Sequence, residues 1–275
     1  MAEERITIAT PAGDIAAWRG GTGADTAVLL HGGPGLSDYL GTLTPLLDER
    51  FRTVRYQQRG LAPTTIGPPH TVEANVEDAV AVIDHEAGGR AVIVGHSWGG
   101  HLALHLLVAA PDRLAGAIII DPLGAHMDVM AQFVANLRRG LDPDELARLD
   151  EIDARERAGE VSEDPEGLRI IWRNYFADPG TAPPMPPMRQ SAEANSGVFA
   201  SLTDHAAAGT LTRGLPRVPA TVPVLFIYGE QSPMPARATT ATAALVPHAR
   251  VAPIEAAGHF PWLEQPEAVV AALDM

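Results

Sequence analysis

The fold is decided by the stretch Ala91-Val92-Ile93-Val94-Gly95-His96-Ser97-Trp98-Gly99-Gly100. An apolar run ends at Val94, and a second one with helical character follows over 101–107. Ser97 therefore stands at the apex of a tight turn between a strand and a helix. Glycine lies two residues before and two after it, where such a turn leaves no room for a side chain. The stretch predicts a serine hydroxyl that projects clear of the backbone above a helix N-terminus, which favours negative charge.

The rest of the chain predicts strands and helices in alternation. Thr71 is expected to begin a helix with an apolar face, and Ser37 or Asp38 another that runs to about Leu47. Apolar strands without polar alternation, separated by helices, indicate a parallel sheet that is covered on both faces, an α/β fold. The predicted strands are Arg5–Thr10, Asp14–Arg19, Ala27–Leu30, Thr53–Tyr56, Ala91–Val94, Ala117–Ile120, Val222–Tyr228 and Arg250–Ile254.

A block after Pro122 has a different character. From about residue 123 to 217 the sequence has helical periodicity and loops, with no convincing strand. Asp142-Pro143-Asp144-Glu145 predicts a helix start, with a capping acid, proline at the first helical position and an acid three residues after the cap. We interpret the block as a helical cap, 122–217, inserted into a core made of 1–121 and 218–275.

Composition excludes several kinds of function. The formal net charge of −14 argues against a nucleic acid or an anionic membrane as partner. All 20 basic residues are Arg and there is no Cys, which excludes lysine Schiff bases, P-loops, cysteine nucleophiles and thiolate metal sites. The N-terminus has no apolar signal segment, and no apolar run reaches the ~18 residues of a membrane span. We expect a cytoplasmic protein that uses no metal or cofactor; the sequence leaves its oligomeric state open.

The residues around Ser97 are those that acyl transfer requires. A serine hydroxyl is a poor nucleophile, so it needs a base, and the base needs an acid that orients it. His259 is the best placed base, because it lies in the loop after the last strand, at the carboxyl edge of a parallel sheet. The backbone N–H groups of Trp98 and Gly33 are candidate donors to an oxyanion.

Four motifs together resemble the α/β-hydrolase superfamily and, within it, the proline iminopeptidase branch. They are His31-Gly32-Gly33-Pro34-Gly35, Gln58-Arg59-Gly60, Gly95-His96-Ser97-Trp98-Gly99-Gly100 and Gly258-His259-Phe260. The resemblance implies a mostly parallel eight-stranded sheet with helices on both faces and a helical cap. It also implies Ser97 as nucleophile, His259 as base, and Gly33 and Trp98 as the oxyanion hole.

Two positions depart from the pattern of that family. Gln57 stands where the family usually has Asp. In the usual position of the acid, after the strand that ends at Tyr228, the chain has Ser232. A serine carries no charge that could stabilise an imidazolium, so the acid must come from elsewhere. Asp121, which ends the neighbouring strand, is the preferred candidate, and Glu230 is the alternative. The third alternative is a Ser–His dyad or an inactive protein.

Two classes of function follow. The first is a serine hydrolase that cleaves an ester, thioester, lactone or amide of a small molecule or short peptide through an acyl-enzyme. An aminopeptidase would also need acidic groups on the cap that face Ser97, for which Glu193 and Asp204 are candidates. The second class is a non-catalytic ligand-binding homologue, which Ser232 in place of the acid motivates.

Overall fold

The strands form one sheet in the computed structural model, which describes residues 3–160 and 162–274. They are β1 (Glu4–Thr10), β2 (Gly13–Gly21), β3 (Asp25–Leu30), β4 (Phe51–Tyr56), β5 (Ala91–His96), β6 (Leu114–Ile120), β7 (Val224–Gly229) and β8 (Arg250–Ile254). Their order across the sheet is β1-β2-β4-β3-β5-β6-β7-β8. The pairs β1–β2 and β2–β4 are antiparallel and all others are parallel, which confirms the mostly parallel eight-stranded sheet.

The central strands are buried on both faces. In β3, Val28 and Leu30 belong to one cluster of buried side chains, and Ala27 and Leu29 belong to another. Because successive side chains of a strand point to opposite faces, the two clusters lie on the two sides of the sheet. In a strand that is covered on both sides, both sets of side chains are buried, so apolar and polar residues do not alternate along it. This explains the uninterrupted apolar run.

Helices cover the two faces. They are α1 (Thr44–Leu47), α2 (Val72–Ala87), α3 (Trp98–Ala109), α4 (Met130–Leu137), α5 (Pro143–Arg157), α6 (Glu166–Ile171), α7 (Ala192–Ala207), α8 (Thr210–Gly214), α9 (Arg237–Ala243), α10 (Pro261–Glu264) and α11 (Pro266–Asp274). Short 3₁₀ helices occupy Leu40–Thr42, Pro111–Arg113, Trp172–Tyr175, Pro179–Thr181 and Leu215–Arg217. Within residues 3–160 and 162–274, no helix is both long and apolar enough to cross a membrane.

Helix starts follow local side-chain chemistry. The Thr71 hydroxyl accepts a hydrogen bond from the Ala74 N–H and caps α2, as predicted. At the start of α5, the Asp142 carboxylate accepts from the Glu145 N–H while the Glu145 side chain accepts from the Asp142 N–H. This reciprocal pair is the capping box that the sequence predicts.

The helix expected from Ser37 or Asp38 to Leu47 is wrong as a continuous element. The chain instead forms a 3₁₀ turn over Leu40–Thr42 and then the short helix α1. The physical reason is Pro45, which has no N–H to donate to the Gly41 carbonyl four residues earlier. Asp38 still caps locally, since its Oδ1 accepts from the Leu40 N–H at 3.0 Å.

The segment between β6 and β7 contains helices α4 to α8. In its described part, 122–160 and 162–217, it contributes no strand to the sheet; a single bridge joins Leu36 to Gln190. The division of the chain into a core and a cap at residues 122 and 217 stays a prediction.

Candidate active site

Ser97 lies on a sharp turn between β5 and α3. Its backbone angles are φ 57° and ψ −119°, outside the regions that non-glycine residues ordinarily occupy. A Cβ at Gly95 would lie 2.2 Å from the Gly99 carbonyl oxygen, and one at Gly99 would lie 1.9 Å from the Leu30 carbonyl oxygen. Both contacts are with backbone, so glycine is required at both positions. The turn holds Ser97 at the carboxyl edge of the sheet, with 9% of the residue exposed.

Asp121 and His259 meet beside this turn. Asp121 directly follows β6, and its N–H donates to the Ile227 carbonyl at 2.8 Å. His259 follows β8, and its N–H donates to the Tyr175 carbonyl at 2.7 Å. The distance from His259 Nδ1 to Asp121 Oδ2 is 2.7 Å, and the exposed fractions of the two side chains are 2% and 1%. The sheet thus brings together two residues that are 138 positions apart in sequence.

Burial disfavours a charge on either member of this pair. It raises the pKa of the Asp121 carboxyl well above its usual value, and the hydrogen bond from the Ser232 hydroxyl opposes that shift. Burial also lowers the pKa of the His259 imidazole below its usual value. The ring is therefore neutral at pH 7, which is the form that can accept a proton.

Glu230, the alternative acid, lies elsewhere. It is exposed, and among the described residues its side chain makes no hydrogen bond to His259. Ser232, two residues further on, donates its hydroxyl to Asp121 Oδ2 and lies 3.4 Å from His259 Nδ1. The carboxylate in contact with the imidazole is therefore that of Asp121.

The two candidate oxyanion donors line the same cavity as Ser97. Within the described part of the chain, neither the Gly33 N–H nor the Trp98 N–H donates a hydrogen bond to another group. The loop that carries Gly33 approaches the serine closely, since a Cβ at Gly32 would lie 2.8 Å from Ser97 Cβ. Unpartnered N–H groups beside a serine hydroxyl are suited to bind an oxyanion.

Tyr39 braces that loop, and the sequence carried no signal for it. Its hydroxyl accepts from the Gly32 N–H at 2.9 Å and lies 2.6 Å from His96 Nδ1. On the other side of the ring, His96 Nε2 lies 2.8 Å from the His259 carbonyl oxygen. These contacts connect the loop after β3, the Ser97 turn and the loop that carries His259.

Gln58 holds the opposite side of the same loop. Its Oε1 accepts from Trp98 Nε1 at 2.7 Å, and its Nε2 donates to the His31 carbonyl at 2.8 Å. Its N–H donates to His31 Nε2 at 3.2 Å. The sequence signal for this role is the motif Gln58-Arg59-Gly60, of which Gln58 is the first residue.

The cavity over Ser97 has a volume of about 210 Å³ and is largely apolar. From the segment after β6, Phe133 and Tyr175 cover the base, with ring centroids 5.7 and 5.3 Å from that of His259. Glu193 and Asp204 are exposed and do not line it. The other lining residues include Leu36, Leu123, Met130, Leu168, Trp172, Met188, Asn195, Phe199 and Phe260.

The serine and the base share this cavity without a direct hydrogen bond between their side chains in the described part of the chain. Such contacts are often long in unliganded sites and close when substrate binds. Across residues 3–160 and 162–274, no group of three or more His, Asp or Glu side chains is arranged to hold a metal ion.

Comparison with known proteins assigns the fold to a family. The model of the alpha/beta hydrolase family matches residues 27–272 of this chain. The chain belongs to the alpha/beta hydrolase family. Hydrolases and esterases among its relatives support a hydrolase activity, whereas the proline iminopeptidase branch is not confirmed.

Individual relatives resemble parts or the whole of this chain. A thermophilic esterase from Thermogutta terrifontis is 25% identical, with a TM-score of 0.64, over 98% of this chain and 97% of the esterase. A serine hydrolase from Cycloclasticus zankles has the same fold, with a TM-score of 0.70, 18% identity, and coverage of 99% and 96%. Lipase LipV of Mycobacterium tuberculosis is 44% identical over 54 residues, 20% of this chain and 21% of the lipase. The stretches matched in curated relatives span about a fifth to two fifths of those relatives' lengths.

Proposed function

We propose that this chain is a serine esterase in which Ser97 is the nucleophile, His259 the base and Asp121 the acid. The observation that carries the proposal is the convergence of three groups on one cavity. Ser97 lies on its strained turn, two unpartnered N–H groups lie beside it, and the buried His259–Asp121 pair completes the set. Each group matches one requirement of acyl transfer.

In the first half-reaction, Ser97 Oγ attacks the carbonyl carbon of the ester while its proton passes to His259 Nε2. The carbonyl electron pair moves to oxygen, and the N–H groups of Gly33 and Trp98 stabilise the resulting oxyanion. Asp121 accepts the hydrogen bond from His259 Nδ1–H and stabilises the imidazolium. Collapse of the tetrahedral intermediate breaks the ester bond, and His259 gives its proton to the departing alcohol.

In the second half-reaction, water attacks the acyl-Ser97 carbonyl and gives a proton to His259. The same two N–H groups stabilise the second oxyanion. When this intermediate collapses, the proton returns to Ser97 Oγ and the carboxylic acid leaves. The reaction requires no co-reactant besides water.

The lining of the cavity favours a neutral, apolar acyl group. Its side chains are apolar, apart from Ser97, His259, Asn195 and two tyrosines. No Asp, Glu or Arg of the described chain lines it. A free amine or carboxylate bound there would lose its hydration without gaining an ion-pair partner. An ester is therefore a better substrate than a peptide with a free amino terminus.

Labelling and turnover test the proposal together. A fluorophosphonate probe is expected to label Ser97 of the folded protein, and 4-nitrophenyl esters of short fatty acids are expected to be hydrolysed. Ser97→Ala should lose both the labelling and the turnover. An unlabelled Ser97 in folded wild-type protein, with no ester hydrolysis, would support the non-catalytic ligand-binding homologue instead.

A matched pair of substrates tests the charge preference. The 4-nitrophenyl ester of hexanoic acid and the mono-4-nitrophenyl ester of adipic acid have acyl chains of the same length, but the second ends in a carboxylate. We expect kcat/KM to be about tenfold or more higher for the hexanoate, because an unpaired carboxylate is costly to bury. Proline 4-nitroanilide, which has a free amine, should be poorer still; its preferential hydrolysis would indicate the peptidase.

A further inference from the structure

Ser232 stands where a carboxylate was expected, and its hydroxyl has two partners besides His259 Nδ1, which lies 3.4 Å away. The Met234 N–H donates to Ser232 Oγ at 3.1 Å, so one acceptor position of the oxygen is filled. The hydroxyl donates its own proton to Asp121 Oδ2. The loop after β7 thus holds a serine donor against the carboxylate that follows β6.

The Asp121 carboxylate depends on few donors. Oδ2 receives both the Ser232 hydroxyl and His259 Nδ1–H, whereas Oδ1 is fully buried and has no hydrogen-bond partner in the described chain. A buried carboxylate needs donors in order to remain ionised. Of its two donors, only the Ser232 hydroxyl lies outside the imidazole that acts as base.

We infer that Ser232 is a positioning residue that keeps Asp121 ionised and directs its Oδ2 toward His259 Nδ1. The inference rests on the proposed function, because it assigns a role within the same acid–base pair. On this interpretation, the serine in place of the usual acid is the donor that allows a carboxylate on the neighbouring strand to act. It is not the remnant of a lost triad.

The surroundings of the pair contain few other charges. His259 and Ser232 contact Asp121 directly, and His96 and Tyr175 flank the imidazole, with ring centroids 4.6 and 5.3 Å from it. Glu264 lies on the other side of the His259 loop, where its carboxylate accepts from the Gly258 N–H. Burial lowers the pKa of His96 and raises that of Tyr175, so both are neutral near pH 7. None of these groups is a cation that could compensate for loss of the Ser232 hydroxyl donor.

Ser232→Ala tests the inference through the pH profile. Without its donor, the Asp121 carboxylate takes up a proton at a higher pH, so the acid limb of kcat should move upward by about one pH unit. At pH 7, kcat should fall on the order of tenfold with KM little changed. Ser232→Thr, which retains a hydroxyl, should restore most of kcat and the original limb. A purely structural role would lower activity equally at every pH.

Two further variants keep the test decisive. The double variant Asp121→Asn with Ser232→Asp moves the carboxylate to the other strand end, and we expect it to be at least about tenfold more active than Asp121→Asn alone. If Ser232→Ala does not fold, the activity of this double variant tests the inference about Ser232. Ser196→Ala is the matched control, since in the described part of the chain the Ser196 hydroxyl donates only to carbonyls of its own helix.

The two proposals fail differently. If wild-type Ser97 is neither labelled nor active, the proposed esterase falls. If the wild type is active and Ser232→Ala keeps the wild-type pH profile, only the inference about Ser232 is overturned. Where Ser232→Ala is unfolded, a double variant no more active than Asp121→Asn overturns it.

Discussion

Asp121 takes up a left-handed backbone conformation, φ 46°, at the point where β6 ends. Aspartate tolerates this region better than most residues. The turn directs the side chain toward β7 and β8, where Ser232 and His259 contact it. Glu230 is closer than Asp121 to His259 in sequence, yet its side chain is exposed. Position in the sheet, not proximity in the chain, decides which carboxylate contacts the imidazole.

The first prediction concerns this carboxylate. Asp121→Asn should lower kcat for a neutral ester by about 10⁴-fold, because an amide can neither hold the imidazole in the required tautomer nor stabilise the imidazolium. Glu230→Gln, in the exposed loop, should retain nearly full turnover. Steady-state kinetics at pH 7.5 measures both. Near-wild-type turnover of Asp121→Asn, or a comparable loss in Glu230→Gln, would contradict the assignment of the acid.

At the scale of elements, the turn between β5 and α3 is the most constrained connection in the site. Gly99 allows the first turn of α3 to pack against the end of β3, where the Leu30 carbonyl lies. Gly95 makes the matching close approach to Gly99 itself. The strand, the turn and the helix therefore form one unit, and the position of Ser97 depends on backbone packing on both sides.

The second prediction tests this packing with Gly99→Ala. The added Cβ would meet the Leu30 carbonyl oxygen at 1.9 Å, so the backbone must shift, and we expect a loss of about 3 kcal/mol or more in the free energy of unfolding. Gly67→Ala is the control, because nothing lies within 4 Å of a Cβ there. Urea unfolding followed by circular dichroism measures both. Equal stabilities would show that the turn tolerates a side chain.

At the scale of the whole molecule, buried neutral histidines connect the core to α7. His101 and His105 on α3 are 2% and 4% exposed, and the His105 ring lies 4.8 Å from that of His205 on α7. Among the residues that the structure describes, His101 Nδ1 and His105 Nε2 are buried without a hydrogen-bond partner. Burial lowers the pKa of His101 to about 3 and that of His105 to about 2. The folded protein holds these rings uncharged.

The third prediction is a loss of stability in acid. Below pH 6.5 the unfolded chain protonates these histidines while the folded chain does not, so the free energy of unfolding falls as the pH falls. Between pH 6.5 and 4, each should contribute a slope of about 1.4 kcal/mol per pH unit. His105→Gln should reduce the slope by about that amount. Urea unfolding across this pH range measures the slopes; an unchanged slope in His105→Gln would refute the argument.

Much of the fold could be predicted from the sequence because the signals are local. The apolar strands around Ser97, the cap at Thr71 and the capping box at Asp142 act over a few residues, and the structure has each of them. The prediction of one continuous helix up to Leu47 was wrong because Pro45 has no backbone N–H to donate. This local effect outweighed the capping signal at Asp38.

The sequence by itself determined the strands, the serine turn and the loop that carries His259, since each depends on neighbouring residues. Only the tertiary structure decided which groups meet there. Asp121, Ser232 and His259 follow β6, β7 and β8, which are adjacent in the sheet but distant in the chain. Tyr39 likewise reaches the site through contacts that have no sequence signature. The physical reason is that hydrogen bonds and burial depend on distances in space, and strand order sets those distances.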